Sequence, residues 1–144
     1  MCTLATQKPK FFAHCTIRHM ESQRFLTISG ETPTLGDHLL RDNNRWKIWK
    51  RQGNAFGLQN AVSDKYVGQS FLGNIVCSSN KMGRNEEVEM DEGNLGRTPF
   101  LVSSAGWGKG SYLLWNEKKL TFAKSKEEAT LWEVEILGET ESTE

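Results

Sequence analysis

The sequence contains little cysteine and no long apolar run, and these two absences exclude several classes of protein. Cys2, Cys15 and Cys77 are odd in number and form no CxxC pair, so neither a disulfide framework nor a zinc site is expected. No segment resembles the apolar core of a signal peptide or approaches membrane-spanning length. We therefore expect reduced thiols, a cytoplasmic location and no membrane insertion.

An excess of charge of either sign is also lacking. The 144 residues include 18 Lys and Arg and 18 Asp and Glu, so no overall field attracts the chain to nucleic acid. The densest basic stretch, 45–51, alternates basic with apolar residues, which is typical of a half-buried strand with one solvated face. No nucleic-acid partner is expected.

The motifs that identify common catalytic and cofactor sites are absent. The sequence has no Gly-x-Ser-x-Gly, His-Glu-x-x-His, P-loop or dinucleotide-binding pattern. His14 and His19 lie five residues apart, so on one strand they would point to opposite faces and could not share a metal ion. Cys15 is expected to be a core thiol. The acidic run 86–92 lacks EF-hand spacing. We expect no enzyme, no metal and no cofactor.

Short apolar alternations dominate what is present. Hydrophobic residues make up 37% of the chain, with five Trp and seven Phe, which suits one packed domain of this length. Apolar residues recur two apart in short runs bounded by turn residues, as in 12–17, 46–48, 56–58, 88–90, 120–122 and 132–136. This period predicts an all-β fold.

The strands repeat. Closing-strand positions Trp46, Val88 and Trp132 are 42 and 44 residues apart, and the strand-starting aromatics Phe25, Tyr66 and Tyr112 are 41 and 46 apart. A period of this size indicates repeated structural units that share one core. We predict three units, at about 11–52, 53–97 and 98–137, within a single domain 1–144 that ends in a flexible acidic tail, 138–144.

Four strands in each unit predict a β-trefoil, in which a six-stranded barrel is capped by three hairpins. The inward residues of the closing strands should meet in one core, because no unit could bury its apolar side alone. Ser125 with Glu128 has the form of a capping box, so one short helical turn is expected before the last strand.

The second unit resembles the repeat of the fascin-like and hisactophilin-like β-trefoil family. The resemblance lies in the apolar start at 56–58, the Asp-Lys-Tyr-Val step at 64–67 and the Glu-Val-Glu-Met run at 87–90, and it extends over about 11–137. It implies the β-trefoil fold and, as one functional possibility, actin binding. The histidine-rich hairpins of hisactophilin-like members are missing, as is the Gln-x-Trp signature of ricin-type lectins.

Exposed aromatic residues are the main indication of a binding site. Trp107 lies in a glycine-rich loop, where it serves either as a lid over the barrel end or as a stacking platform. Trp115 and Asn116 on the third hairpin, and Asn60 and Asp64 at what we expect to be the corresponding turn of the second unit, combine aromatic and polar groups. Sugar rings stack on Trp while polar side chains bind their hydroxyls.

These observations predict a non-enzymatic, lectin-like module whose partner is a glycan or glycoprotein. Two alternatives remain open: a fascin-like module that binds actin or another protein through a face of the barrel, and a β-trefoil protease inhibitor that acts through one loop. The polar turn residues differ among the units, so fewer than three ligand sites are expected.

Overall fold

The computed structural model describes residues 8–36, 42–51, 55–70, 73–102 and 110–138. Within these ranges no helix has the length and apolar character needed to cross a membrane. The described strands are β1 Lys10–His19, β2 Phe25–Ser29, β3 Thr32–Gly36, β4 Arg45–Lys50, β5 Ala55–Asn60, β6 Tyr66–Gln69, β7 Ile75–Ser79, β8 Val88–Glu89, β9 Leu101–Val102, β10 Tyr112–Asn116, β11 Lys119–Ala123 and β12 Trp132–Gly138. Short 3-10 helices lie at Asp42–Asn44, Arg84–Glu86, Glu92–Asn94 and Lys126–Glu128.

Six of these strands form a closed barrel. β1 pairs with β4 and β12, β4 with β5, β5 with β8, and β8 with β9, all antiparallel. A bridge between Thr98 and Trp132 joins the start of the β9 segment to β12. Strands β1–β4, β5–β8 and β9–β12 are called units 1, 2 and 3 below. The predicted β-trefoil is confirmed.

The remaining strands form three hairpins, β2–β3, β6–β7 and β10–β11. The second strands of the hairpins meet, since β3 lies against both β7 and β11. The hairpins therefore close one end of the barrel around the axis that relates the three units.

The core lies inside the barrel, and it contains the inward residues of the closing strands, as the sequence period predicts. Trp46, Val88 and Trp132 are all buried in one cluster, together with the next inward residues Ile48 and Val134. Because Trp46 and Trp132 are fully buried, these two indoles fill equivalent positions in units 1 and 3.

The two indoles differ in hydrogen bonding. Trp46 Nε1 donates to the carbonyl oxygen of Leu26 at 2.9 Å, whereas Trp132 Nε1 is buried and has no partner among the described residues. Loss of a hydrogen-bonded group leaves its buried partner unsatisfied, while loss of an unpaired donor does not.

This difference predicts unequal effects of the same substitution. Trp46→Phe should lower the free energy of unfolding by about 1 kcal/mol or more beyond Trp132→Phe, because only Trp46→Phe orphans a carbonyl. Urea denaturation of the two variants measures the difference. Equal losses would show that the Leu26 carbonyl finds another donor.

The turns between the first two strands of units 1 and 2 have the same form. Gln23 and Asp64 both adopt positive φ, at 65° and 62°. Each donates its backbone N–H to the fourth residue before it, His19 or Asn60. His19 and Asn60 therefore occupy equivalent positions in units 1 and 2.

The short helical turn before the last strand and the core thiol are also confirmed. Ser125 accepts the backbone N–H of Glu128 at the start of the 3-10 helix Lys126–Glu128. Cys15 and Cys77 are free and buried. Burial raises the pKa of both thiols, that of Cys77 to about 11, so both stay protonated and unreactive at neutral pH.

Candidate functional site

A recess of about 430 Å³ opens where unit 3 meets unit 1. One wall is Leu114 and Trp115 of β10, the second is the start of the turn 19–23, and the third is the link from Glu128 to Leu131 that precedes β12. We call it the Trp115 recess. Its lining residues are His19, Met20, Glu21, Leu114, Trp115, Glu128, Ala129, Thr130 and Leu131.

Three hydrogen bonds, one of them to a side-chain hydroxyl, hold the three walls together. The hydroxyl oxygen of Thr130 accepts the N–H of Trp115 at 2.7 Å, and the N–H of Thr130 donates to the Leu113 carbonyl at 3.2 Å. The N–H of Met20 donates to the Leu131 carbonyl at 3.2 Å. The recess is thus built into the fold, because its walls are fixed to each other without a ligand.

Trp115 combines a fixed position with an available face. It is half-buried and packs against the core, so the ring is held in place. Its indole N–H has no hydrogen-bond partner within the described part of the chain. An aromatic ring held in this way can stack on a ligand while its N–H donates to a polar group.

His19 forms the buried side of the recess. Its Nδ1 lies 2.7 Å from Ser22 Oγ and accepts the backbone N–H of Ser22 at 3.3 Å. Its ring also lies 5.8 Å from the Trp132 ring, centre to centre. Burial is the main cause that lowers the pKa of His19, Arg24 lowers it further, and Glu21 partly opposes this.

The lowered pKa predicts a loss of stability in acid. Above the ordinary value of 6.5, His19 is neutral in both the native and the unfolded state. As the pH falls below that value, the unfolded chain takes up the proton first, so the native state loses stability. The decline continues until the pH passes the lower native pKa.

Asn60 provides the variant that tests this. Its Oδ1 accepts the N–H groups of Val62 and Ser63 at 3.0 and 3.1 Å, which is the role of His19 Nδ1 toward Ser22. His19→Asn should therefore preserve the turn and make the free energy of unfolding fall less than in the wild type between about pH 7 and about pH 5. Parallel pH profiles for the two proteins would refute the assignment.

The equivalent junction between units 1 and 2 is closed by polar contacts. The Asn43 carbonyl accepts from Thr27 Oγ1 at 3.0 Å and from Asn60 Nδ2 at 2.9 Å. The Asn43 side chain in turn donates to the Ile28 carbonyl at 3.2 Å. In unit 3 the residues at the positions of Asn43 and Ile28 are Ala129 and Trp115. Ala129 keeps a backbone carbonyl but has no side-chain amide, and Leu114, at the position of Thr27, has no hydroxyl to donate. The contacts made by the Asn43 side chain and by Thr27 therefore have no counterpart in unit 3.

The structure separates the residues that the sequence indicated for binding. Trp115 lines the recess, and Asn116 is exposed at the end of β10. Asn60 is fully buried; its side-chain oxygen accepts within the turn and its amide nitrogen donates to the Asn43 carbonyl of unit 1, so it presents no free polar group. Asp64 is exposed in the same turn, which joins unit 1 through Ala61 and Arg45. Trp107 lies outside the described residues.

One detail of the sequence interpretation is wrong. The sequence interpretation matches the turn 60–64 with the turn beside Asn116, but Asn116 ends the first strand of a hairpin. Its equivalent in unit 2 is Ser70, which directly follows β6 and donates its backbone N–H to the Asn74 carbonyl at 2.8 Å. The equivalent of Asn60 is His19, so the polar turn that reaches Trp115 comes from unit 1.

Three polar residues of the recess were not identified from the sequence: Glu21, Glu128 and Thr130. Glu128 and Thr130 lie in a link that was interpreted only as a capped turn. An alignment of units 1 and 3 on Trp46 and Trp132 matches Ala129 with Asn43. This loss of a polar side chain was the signal in the sequence that could have indicated the site. Among the described residues no group of three or more His, Cys, Asp or Glu side chains is arranged to hold a metal ion.

Several solved structures resemble this chain. SeviL bound to the asialo-GM1 saccharide is 14% identical with a TM-score of 0.68, covering 88% of this chain and 98% of its own. ThreeFoil, a designed 3-fold symmetric protein, is 15% identical with a TM-score of 0.71, covering 86% and 99%. A ricin B-like lectin from Macrolepiota procera in complex with lactose is 15% identical with a TM-score of 0.64, covering 85% and 94%.

The likeness shows a shared fold. At these identities it does not carry over a ligand or a site. No protein-family model and no curated protein matches the chain. The resemblance to fascin-like repeats therefore stays a prediction.

Proposed function

We propose that the chain is a non-enzymatic, lectin-like module that binds carbohydrate in the Trp115 recess. The observation that carries the proposal is the position of Trp115, a fixed indole in the wall of an open recess with polar groups on the facing walls. An apolar ring face with a few convergent polar groups is the combination that a sugar requires.

The polar groups suit hydroxyl recognition. Glu21 and Glu128 are exposed carboxylates that can accept from sugar hydroxyls. The Thr130 hydroxyl already accepts from Trp115, which leaves its own hydrogen to donate. The carboxylates also favour a neutral glycan over an acidic one, because a second negative charge would be repelled.

The size of the recess limits the ligand. A volume of about 430 Å³ lies in the lower part of the range of small-molecule pockets, about 300–1,000 Å³. We expect one or two sugar units to be held there, with the remainder of a glycan in solvent.

Trp107 remains a proposed contact from the sequence, whereas Asp64 does not line this recess. No contact in the described ranges favours the actin-binding or protease-inhibitor alternative.

A glycan array tests the proposal. Wild-type protein should give reproducible signals for neutral glycans. Ala129→Trp should abolish them by filling the recess, whereas Lys124→Trp, on an exposed neighbour outside the recess, should not. A blank array from folded wild-type protein would overturn the proposal, as would equal signals from the two variants.

A further inference from the structure

A second recess lies on the axis of the hairpin cap. Its volume is about 290 Å³, and each of the three hairpins contributes to its lining. We call it the axial recess. Its lining residues are Thr32, Pro33, Gly73, Asn74, Ile75, Val76, Lys119, Leu120, Thr121 and Phe122.

The strand registers show that three lining residues are equivalent. Thr32 pairs with Ser29 and Lys119 with Asn116, each at the hairpin turn. Asn74 faces Ser70 in the same way, donating from its backbone N–H to Ser70 Oγ at 3.2 Å. Each hairpin thus places one exposed polar side chain in the lining.

The next residue of each strand lies deeper. These residues are Pro33, Ile75 and Leu120, of which Pro33 and Leu120 are buried. Thr121 adds a hydroxyl, and Phe122 and Val76 add apolar surface. The axial recess therefore has an apolar base and a polar rim.

The rim is unused within the described part of the protein. The side chains of Thr32, Asn74 and Lys119 have no hydrogen-bond or ion-pair partner there. Lys119 is the one charged residue among the described lining. The rim combines an ammonium group with a hydroxyl and an amide, so it suits an asymmetric ligand with one negative charge.

We propose that the axial recess is a second ligand site, which binds a small organic anion through its carboxylate or phosphate. The anionic group pairs with Lys119, while Thr32, Asn74 and Thr121 bind hydroxyl groups of the ligand and its apolar face lies over Ile75 and Phe122. The small volume restricts the ligand to a compact molecule, such as a single charged sugar. This site shares no lining residue with the Trp115 recess.

Amide shifts in NMR titrations test the proposal with three probes of similar size: glucuronate, glucose 6-phosphate and uncharged glucose. Saturable shifts centred on Thr32, Asn74 and Lys119 are expected from at least one anion and not from glucose. Lys119→Met should weaken that binding about tenfold or more, as expected for a lost charge-assisted contact.

Lys118→Met is the matched control, because Lys118 is the exposed neighbour that does not line the recess. It should bind the anion as the wild type does. The proposal is overturned if neither anion gives saturable shifts at the rim, if glucose binds equally well, or if Lys119→Met retains wild-type affinity.

Discussion

Trp46→Ala is expected to lower the free energy of unfolding by about 3–5 kcal/mol. The side chain is fully buried within the barrel core, so its removal leaves a cavity among residues from several strands. The Leu26 carbonyl also loses its donor. Since small domains are stable by only about 5–15 kcal/mol, this one substitution should bring the protein close to unfolding.

Trp49 provides a control in the same strand. Trp49 is half-buried and lies outside the core cluster, where its ring contacts Phe11 and its N–H donates to Gln59. Trp49→Ala should therefore cost clearly less than Trp46→Ala in urea denaturation followed by circular dichroism. Equal costs would contradict the proposed division of β4 into a core face and an outer face.

Trp115→Ala is expected to weaken glycan binding about tenfold or more. The substitution removes the stacking surface and the free indole N–H together, and no other aromatic side chain lines the described recess except the buried His19. Titration calorimetry with a glycan from the array measures the effect.

Ile28→Ala separates lost binding from lost stability. Ile28 holds the position in unit 1 that Trp115 holds in unit 3, and both are half-buried against the core. Ile28→Ala should destabilise the fold and leave glycan affinity unchanged. If both variants weaken binding to the same extent, the effect arises from the scaffold and the assignment of Trp115 fails.

The fold could be predicted because its determinants repeat in the sequence. Three closing strands with inward residues two apart specify a shared core, and Trp46, Val88 and Trp132 are indeed buried together. Hydrophobic periodicity reports which face is buried, and in this chain the buried face is the same in every unit.

The recess could be predicted only in part, because it depends on differences between units. The sequence indicates Trp115 as a candidate contact. The residues around it come from both unit 3 and unit 1, which meet where the barrel closes. The decisive changes are the loss of the Asn43 side-chain amide at Ala129 and the loss of the Thr27 hydroxyl at Leu114. Such a change has no period and becomes visible only when the junctions are compared in space.

Asn60 is a residue that the sequence indicates for binding but that the fold itself uses. An Asn in a polar turn is compatible with ligand binding or with capping of its own turn. The sequence does not distinguish the two, whereas the hydrogen bonds to Val62, Ser63 and Asn43 do.

Amide shifts on addition of an array-positive neutral glycan test the binding assignment most directly. The largest changes are predicted at Met20, Trp115 and Thr130, which lie on the three walls of the recess. Changes confined to the turn 60–64 or to the axial recess, with these three amides unmoved, would contradict it.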